Sequence, residues 1–123
     1  MTQNVLTENK KEEIRIELVS NLKKLNEELS LINNEIKDLH PSGPDVADQA
    51  SAVEERNSLL SKVNIKTLNI RAIERTLGNF EDFGFCTDCG EDIDVKRLIH
   101  NHTVSRCIGC QEIFELKQKQ LGK

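Results

Sequence analysis

The four cysteines of the chain form two CxxC pairs, Cys86 with Cys89 and Cys107 with Cys110, separated by residues 90–106. Each CxxC turn brings two thiolates to one side of the backbone. Two such turns supply the four sulfur ligands of a closed tetrahedral zinc site, at about 2.3 Å per Zn–S bond. The spacing therefore predicts one structural Zn²⁺ held by all four cysteines, with no coordination position left open for catalysis.

Two other uses of the cysteines fit the surrounding sequence less well. Disulfides are typical of secreted chains, but the chain begins Met-Thr-Gln-Asn-Val, without a charged region followed by an apolar one. A redox CxxC normally lies in a βαβ pattern, and none surrounds these pairs. His100 and His102 could compete as ligands, but we expect them to be solvated loop residues. These observations favour a reducing cytosol.

The first half of the chain predicts a long helix with one narrow apolar face. Thr7 is a plausible N-cap ahead of Glu8, and no Gly or Pro follows until Pro41. Apolar residues then recur at alternating intervals of four and three, which is the heptad pattern of a coiled-coil seam. The seam consists of Leu18, Leu22, Leu25, Leu29, Ile32, Ile36 and Leu39.

A second helix is predicted from Val46 to about Phe80, after a break at residues 40–45 that contains both prolines of the chain. Asp45 is well placed to cap it. Two helices of similar length joined by a short turn run antiparallel and adjacent. We expect the partner seam to consist of Val53, Leu60, Val63, Thr67, Ile70, Ile73, Leu77 and Phe80.

The last third of the chain predicts a small zinc-held base. We expect Phe83 and Phe85 to cover the metal, and residues 91–106 to form an irregular connection. Four apolar residues of that connection are expected to pack inward: Ile93, Val95, Leu98 and Ile99. A short helix follows over residues 111–121, and its expected buried side consists of Ile113, Phe114 and Leu121.

The predicted fold class is therefore mostly α, with a long antiparallel two-helix coiled coil, a small four-cysteine zinc-finger base and a short C-terminal helix. The predicted domains are a coiled-coil hairpin over residues 1–80, with its tip at about 40–50, and the zinc finger with its helix over 81–123. Because only 37% of the residues are hydrophobic and none is Trp or Tyr, we expect no thick globular core.

Composition also excludes several functions. The net charge of −4 is evenly spread and no window is a basic patch, which argues against direct DNA binding. The longest apolar run is far too short to span a membrane. No nucleophile–base pair, phosphate-binding glycine loop or open metal position indicates an enzyme. We expect a monomer that acts through contact with another protein.

The turn between the helices is acidic. No Lys or Arg occurs from Pro41 to Glu55, and Asp45 and Asp48 are one helical turn apart, so that they project from the same face. One interpretation is a solvated turn with a capping Asp. The other is a functional tip, because carboxylates at this spacing repel one another and so cost a little stability.

At these residues the sequence resembles the DksA/TraR family of bacterial RNA polymerase-binding transcription factors. The resemblance rests on four features: the tip residues Asp45, Asp48 and Ala50, the Phe83–Cys86 segment, Lys96-Arg-Leu98, and the second CxxC with its trailing helix. It implies that the coiled coil enters the secondary channel of RNA polymerase. The three tip residues would then alter the stability of the open promoter complex.

The resemblance also bears on the alarmone ppGpp. In members that cooperate with ppGpp, basic side chains hold its phosphates, but the positions that correspond here are Ile65, Ala72, Asn101 and Gln111. We therefore expect little or no ppGpp dependence. Two alternative functions stay open: a transcript-cleavage or elongation factor of the same architecture, and a zinc-ribbon adaptor or DNA-binding module.

Overall fold

The structure, a computed structural model, describes residues 6–39 and 46–121, and of residues 46–48 it describes the backbone alone. The described part is almost entirely helical. It contains α1 (Glu8–Asp38), α2 (Val46–Gly78), a 3-10 turn (Phe80–Asp82), α3 (Val95–His100) and α4 (Ile108–Leu121). None of the helices in the described ranges is both long enough and apolar enough to cross a membrane.

The chain divides into two compact units, each of which contains part of α1 and part of α2. The first unit comprises the residues up to Leu18 and those from Ile73 onward, and the second comprises Val19–Ala72. The predicted boundary between residues 80 and 81 divides the sequence into two consecutive segments, and it stays a prediction.

Helix α1 begins and packs as its sequence predicts. The Thr7 hydroxyl accepts a hydrogen bond of 3.1 Å from the backbone N–H of Lys10, which is the expected N-cap interaction. Leu18 and Ile32 are buried, and the other residues of the predicted seam are half-buried. The seam also extends one turn further toward the start of the chain, because Ile14 is 1% exposed.

The predicted seam of α2 is wrong at two positions. Val53 and Leu60 are 56% and 40% exposed, whereas Leu59 is 7% exposed. Counting back from Ile70 in alternating steps of four and three gives a set of heptad positions that includes two cationic residues. These positions are Lys66, Val63, Leu59, Arg56 and Ala52. The sequence-based prediction did not consider Lys66, because it looked for residues without charge, and it used the neighbouring Thr67 instead. It likewise used Leu60 and Val53 in place of Leu59 and Ala52.

Lys66 pairs across the seam in the second unit. Its Nζ lies 2.9 Å from Glu28 Oε1 of α1, and the two side chains are 26% and 37% exposed. The hydrogen bond from Lys66 and the adjacent positive charge lower the pKa of Glu28. A polar residue at a heptad core position commonly fixes helix alignment, because other alignments leave its charge without a partner.

The first unit has a core of its own, centred on α3. Leu98 is fully buried, and Ile93 and Phe83 are 2% and 6% exposed. The irregular connection predicted for residues 91–106 is wrong over Val95–His100, where Asp94 caps α3 by accepting a 3.1 Å hydrogen bond from the N–H of Lys96. Ile99, expected to pack inward, is 47% exposed.

Helix α4 buries less than its sequence predicts. Ile113 and Leu121, expected on its buried side, are 54% and 81% exposed. Phe114 is half-buried, with the guanidinium of Arg106 lying 4.0 Å from the ring centroid. The contact of α4 with the rest of its unit therefore centres on Phe114.

The corrected α2 seam predicts opposite results for two neighbouring leucines. Leu59→Ala should lower the free energy of unfolding by about 2–4 kcal/mol, because truncation leaves a cavity at a buried position. Leu60→Ala should cost about 1 kcal/mol or less, because Leu60 is already 40% exposed and its truncation leaves no enclosed cavity. Urea denaturation of the zinc-loaded protein, followed by far-UV circular dichroism, measures both. Equal losses, or a larger loss for Leu60→Ala, would contradict the corrected seam.

Candidate metal centre

The four cysteines converge on one small volume. Their sulfur atoms all lie within 4.8 Å of one another, and Cys89 Sγ is 3.8 Å from Cys107 Sγ. A tetrahedron with Zn–S bonds of about 2.3 Å has S···S edges of about 3.8 Å. The donor set and its dimensions therefore fit one tetrahedral Zn²⁺, which would be held by Cys86, Cys89, Cys107 and Cys110.

The first pair lies in a tight turn whose backbone hydrogen bonds point at the sulfur. The N–H groups of Asp88 and Cys89 lie 3.4 and 3.5 Å from Cys86 Sγ. The turn closes with a 2.9 Å hydrogen bond from Gly90 N–H to the Cys86 carbonyl. Gly90 has φ +79°, a conformation that side-chain-bearing residues rarely adopt.

The second pair lies at the start of α4. The Cys107 carbonyl accepts a 2.9 Å hydrogen bond from Gln111 N–H, and Cys107 Sγ accepts one of 3.5 Å from Cys110 N–H. The second CxxC is thus fixed by the first turn of α4.

Side chains outside the cluster join the two CxxC segments. Arg106 Nε donates a 2.9 Å hydrogen bond to Asp88 Oδ2, and Arg97 Nη1 donates one of 2.9 Å to the Arg106 carbonyl. The backbone contributes a further 2.8 Å hydrogen bond from Thr87 N–H to the Ser105 carbonyl. Sequence reasoning missed these links. Only Arg97 gave a signal, since it lies in the Lys96-Arg-Leu98 segment quoted above.

The metal-free thiols differ strongly in acidity. Burial of Cys86 disfavours its thiolate, but hydrogen bonds from the backbone N–H groups of Cys107, Cys89 and Asp88 outweigh this effect and lower the pKa of Cys86 to about 6. The pKa of Cys110 is raised, and the main cause is a hydrogen bond between its side chain and that of Cys107. Cys86 therefore ionises before Cys110.

The pKa of Cys89 is raised, like that of Cys110, but the causes differ. The backbone N–H of Glu91 lowers the pKa of Cys89, but partial loss of water and hydrogen bonds with the thiols of Cys86 and Cys107 outweigh it, so the pKa is raised.

The two aromatic residues expected to cover the metal have different surroundings. Phe83 is buried and stacks on Phe80, with the ring centroids 4.7 Å apart, while Phe85 is 49% exposed. Gly84 between them has φ +98°, and a Cβ atom there would come within 3.3 Å of Leu6 Cδ2. The close approach of Leu6 and the backbone conformation therefore both favour glycine.

The prediction that both histidines are solvated is wrong for His102. His102 Nε2 is 2.6 Å from Glu17 Oε1, and its Nδ1 is 2.8 Å from the Leu98 carbonyl. Its side chain is only 17% exposed, whereas His100 is exposed. Both ring nitrogens of His102 therefore face an oxygen atom. This pair ties the loop after α3 to α1.

The predicted tip residues are described in part. Asp45 lies outside the described residues. Asp48 lies within α2, but its side chain is outside the described part of the structure. Ala50 lies in α2 and is exposed. The shared face of the two aspartates therefore stays a prediction.

Comparisons with known proteins agree with the metal centre. Residues 81–116 match the family model described as prokaryotic dksA/traR C4-type zinc finger. The chain is 32% identical over 100 residues to the RNA polymerase-binding transcription factor DksA of Escherichia coli K12, covering 80% of this chain and 66% of that protein. It is 36% identical over 81 residues to the protein of the same name from Haemophilus influenzae, covering 64% and 56% of the two chains.

The fold is also similar to a solved structure. Transcription factor DksA2 from Pseudomonas aeruginosa superposes with a TM-score of 0.78 and 25% sequence identity, over 97% of this chain and 93% of that one. The chain spans just under two thirds of the length of the E. coli relative. Together with the clustered sulfurs, the zinc-finger match indicates one bound Zn²⁺.

The different acidities of the thiols predict how many protons zinc releases. Because its pKa is about 6, Cys86 is already a thiolate near neutral pH and releases almost no proton when zinc binds. Cys89 and Cys110 have raised pKa values, so each must release a proton, and zinc affinity should rise with increasing pH. Calorimetric titration of metal-free protein, in buffers of different ionisation enthalpy, should give fewer than four protons per zinc. Release of four protons at neutral pH, from metal-free protein whose far-UV circular dichroism matches that of the zinc-loaded protein, would contradict the lowered pKa of Cys86.

Proposed function

Because this chain belongs to the prokaryotic dksA/traR C4-type zinc-finger family, we propose that it is a transcription regulator that binds bacterial RNA polymerase. The similarity to proteins named RNA polymerase-binding transcription factor DksA carries this proposal. It covers 80% of the chain, so it includes the helices as well as the zinc finger. The structural likeness to DksA2 over nearly the whole chain gives independent support.

The proposed mode of action is insertion of the paired helices into the secondary channel of the polymerase. The acidic segment, residues 41–55, contains four carboxylates and no Lys or Arg. An active centre that binds nucleoside triphosphates contains basic groups and magnesium, and a narrow protein channel of low dielectric strengthens attraction between opposite charges. In our proposal Asp45, Asp48 and Ala50 act there, and they alter the stability of the open promoter complex.

The zinc-bearing unit has a structural role in this proposal. Zinc supplies folding free energy by holding the two CxxC segments together, while Arg97 and Arg106 position the backbone before Cys107. Four thiolates close a tetrahedral shell, so we assign no catalysis to the metal and no enzymatic activity to the chain. We also assign no direct DNA contact, and we expect the protein to act as a monomer in the bacterial cytoplasm, where its partner works.

The proposal is tested by competition for purified bacterial RNA polymerase. The zinc-loaded protein should displace a known secondary-channel factor and change the lifetime of promoter complexes. Backtracked complexes treated with it should show no RNA cleavage, which separates a regulator from a cleavage factor. Failure to compete, combined with salt-sensitive binding to duplex DNA, would favour a DNA-binding zinc module instead.

The assignment of the tip gives a sharper expectation for Asp48→Asn. The variant should bind polymerase with nearly unchanged affinity but lose its effect on promoter-complex lifetime, because only the charge that acts inside the channel is removed. Asp38→Asn, at the end of α1 and outside the motif, is the matched control and should behave like the original protein. A collapse of affinity with normal activity per bound molecule would instead make Asp48 an anchoring residue.

The surroundings of the four corresponding positions support independence from ppGpp. Ile65 is 60% exposed and carries no charge. The Gln111 side chain donates a 3.0 Å hydrogen bond to Glu115, and Asn101 Oδ1 accepts from Thr103 N–H and Oγ1 at 3.1 and 3.0 Å. Neutral or acid-paired side chains do not make a favourable phosphate site.

Adding ppGpp should therefore change the effect of this protein on promoter-complex lifetime by less than about twofold, since replacing each phosphate-contacting cation removes a charge-assisted hydrogen bond. The same assay without this chain measures any effect of ppGpp on the polymerase itself. A family member that cooperates with ppGpp, assayed in parallel, is the positive control. Clear enhancement with this chain would contradict the expectation.

A further inference from the structure

A cavity of about 880 Å³ lies in the first unit beside the metal centre. Its walls come from the last turns of α2, the first CxxC segment, the backbone before α4, and Phe114 of α4. This volume is within the usual range for small-molecule sites, about 300–1,000 Å³. The metal itself uses only the cysteine sulfurs, and of these four residues only Cys86 lines the cavity.

One cationic group of the cavity is free to bind an anion. The lining contains two guanidinium groups, Arg75 and Arg106, one carboxylate, Asp82, and the sulfur of Cys86, which is a thiolate when zinc is bound. Among the described residues, Arg75 forms no ion pair, whereas Arg106 is paired with Asp88. Asn79, the residue after the end of α2, also lines the cavity and adds an amide donor.

The apolar part of the lining favours a planar group. Phe85 lines the cavity and leaves 49% of its surface exposed. On another wall, the guanidinium of Arg106 lies 4.0 Å from the Phe114 ring centroid, which is within the range of a cation–π contact. An exposed aromatic ring in the same cavity as a free guanidinium can stack on one part of a ligand while the cation binds another part.

We propose that this cavity is a binding site for a planar aromatic anion, held by the Arg75 guanidinium and stacked on the Phe85 ring. Two sources share this chemistry, a mononucleotide and an aromatic carboxylate. The positions Ile65, Ala72, Asn101 and Gln111 do not line the cavity, so it is distinct from the phosphate positions considered above.

The test uses the zinc-loaded full chain and amide chemical shifts of Thr87 and Gly90, two residues of the cavity wall. The probes are guanosine monophosphate, indole-3-carboxylate and inorganic phosphate. We expect saturable shifts with at least one aromatic anion, and binding of phosphate at least about tenfold weaker because it gains no stacking. Tighter binding of the nucleotide would identify a nucleotide site, and tighter binding of the carboxylate would identify a carboxylate site.

Matched variants locate the binding. Arg75→Gln and Phe85→Leu should each raise Kd for the aromatic anion about tenfold, the effect of losing one charge-assisted or stacking contact. Arg71→Gln, one turn earlier on α2, and Leu116→Ala, exposed on α4, should leave Kd unchanged because neither residue lines the cavity. Thermal unfolding identifies any variant that fails to fold, and Arg75→Gln changes only an exposed side chain.

Three results would overturn the proposal. The first is no shift of these amides with either aromatic anion at millimolar concentration. The second is unchanged Kd in both Arg75→Gln and Phe85→Leu. The third is binding of inorganic phosphate as tight as that of the aromatic anions.

Discussion

The first unit depends on a constraint that its own side chains cannot satisfy: four sulfurs that bind as thiolates lie within 4.8 Å of one another. Like charges at such distances repel strongly wherever water is partly excluded, and a divalent cation reverses the sign of the interaction. The Gly90 turn, the Arg97 hydrogen bond to the backbone and the start of α4 all serve to place these sulfurs. Because the apolar core around Leu98 is small, metal binding and folding of this unit are coupled.

The second unit depends on a narrow seam instead of a metal. Its buried residues include Ile32, Leu59 and Ile70, while Lys66 occupies a heptad position between them and pairs with Glu28. An apolar residue at position 66 would complete the seam but would tolerate neighbouring alignments of the helices. The ion pair adds little stability at this exposure, and its larger effect is on alignment, since a shifted register leaves one charge unpaired.

Sequence reasoning succeeded where a periodic or spaced pattern reports directly on structure. The CxxC spacing predicted the cysteine cluster, and the uninterrupted heptads from Leu18 to Leu39 predicted the seam of α1. It failed in α2 because Lys66 and Arg56 interrupt the apolar pattern of that helix. Leu60 therefore fitted the predicted seam better than Leu59. Helix α3 was missed because six residues are too few to show a period, although the Asp94 cap was a usable signal. Contacts between residues far apart in sequence, such as His102 with Glu17, leave no local pattern at all.

The start of α1 belongs to the same core as the metal centre. In the proposed mechanism, this connects the zinc site with the helix that precedes the acidic segment. Ile14 and Leu18 are each 1% exposed in the first unit, and Glu17 of the same helix holds His102. Loss of zinc would loosen the loop that carries His102, and with it the packing that fixes the first turns of α1. Because α1 is one continuous helix that ends at Asp38, the metal stabilises the start of the helix that precedes the acidic segment. In the proposed function, zinc would therefore be required for regulation without contacting the polymerase.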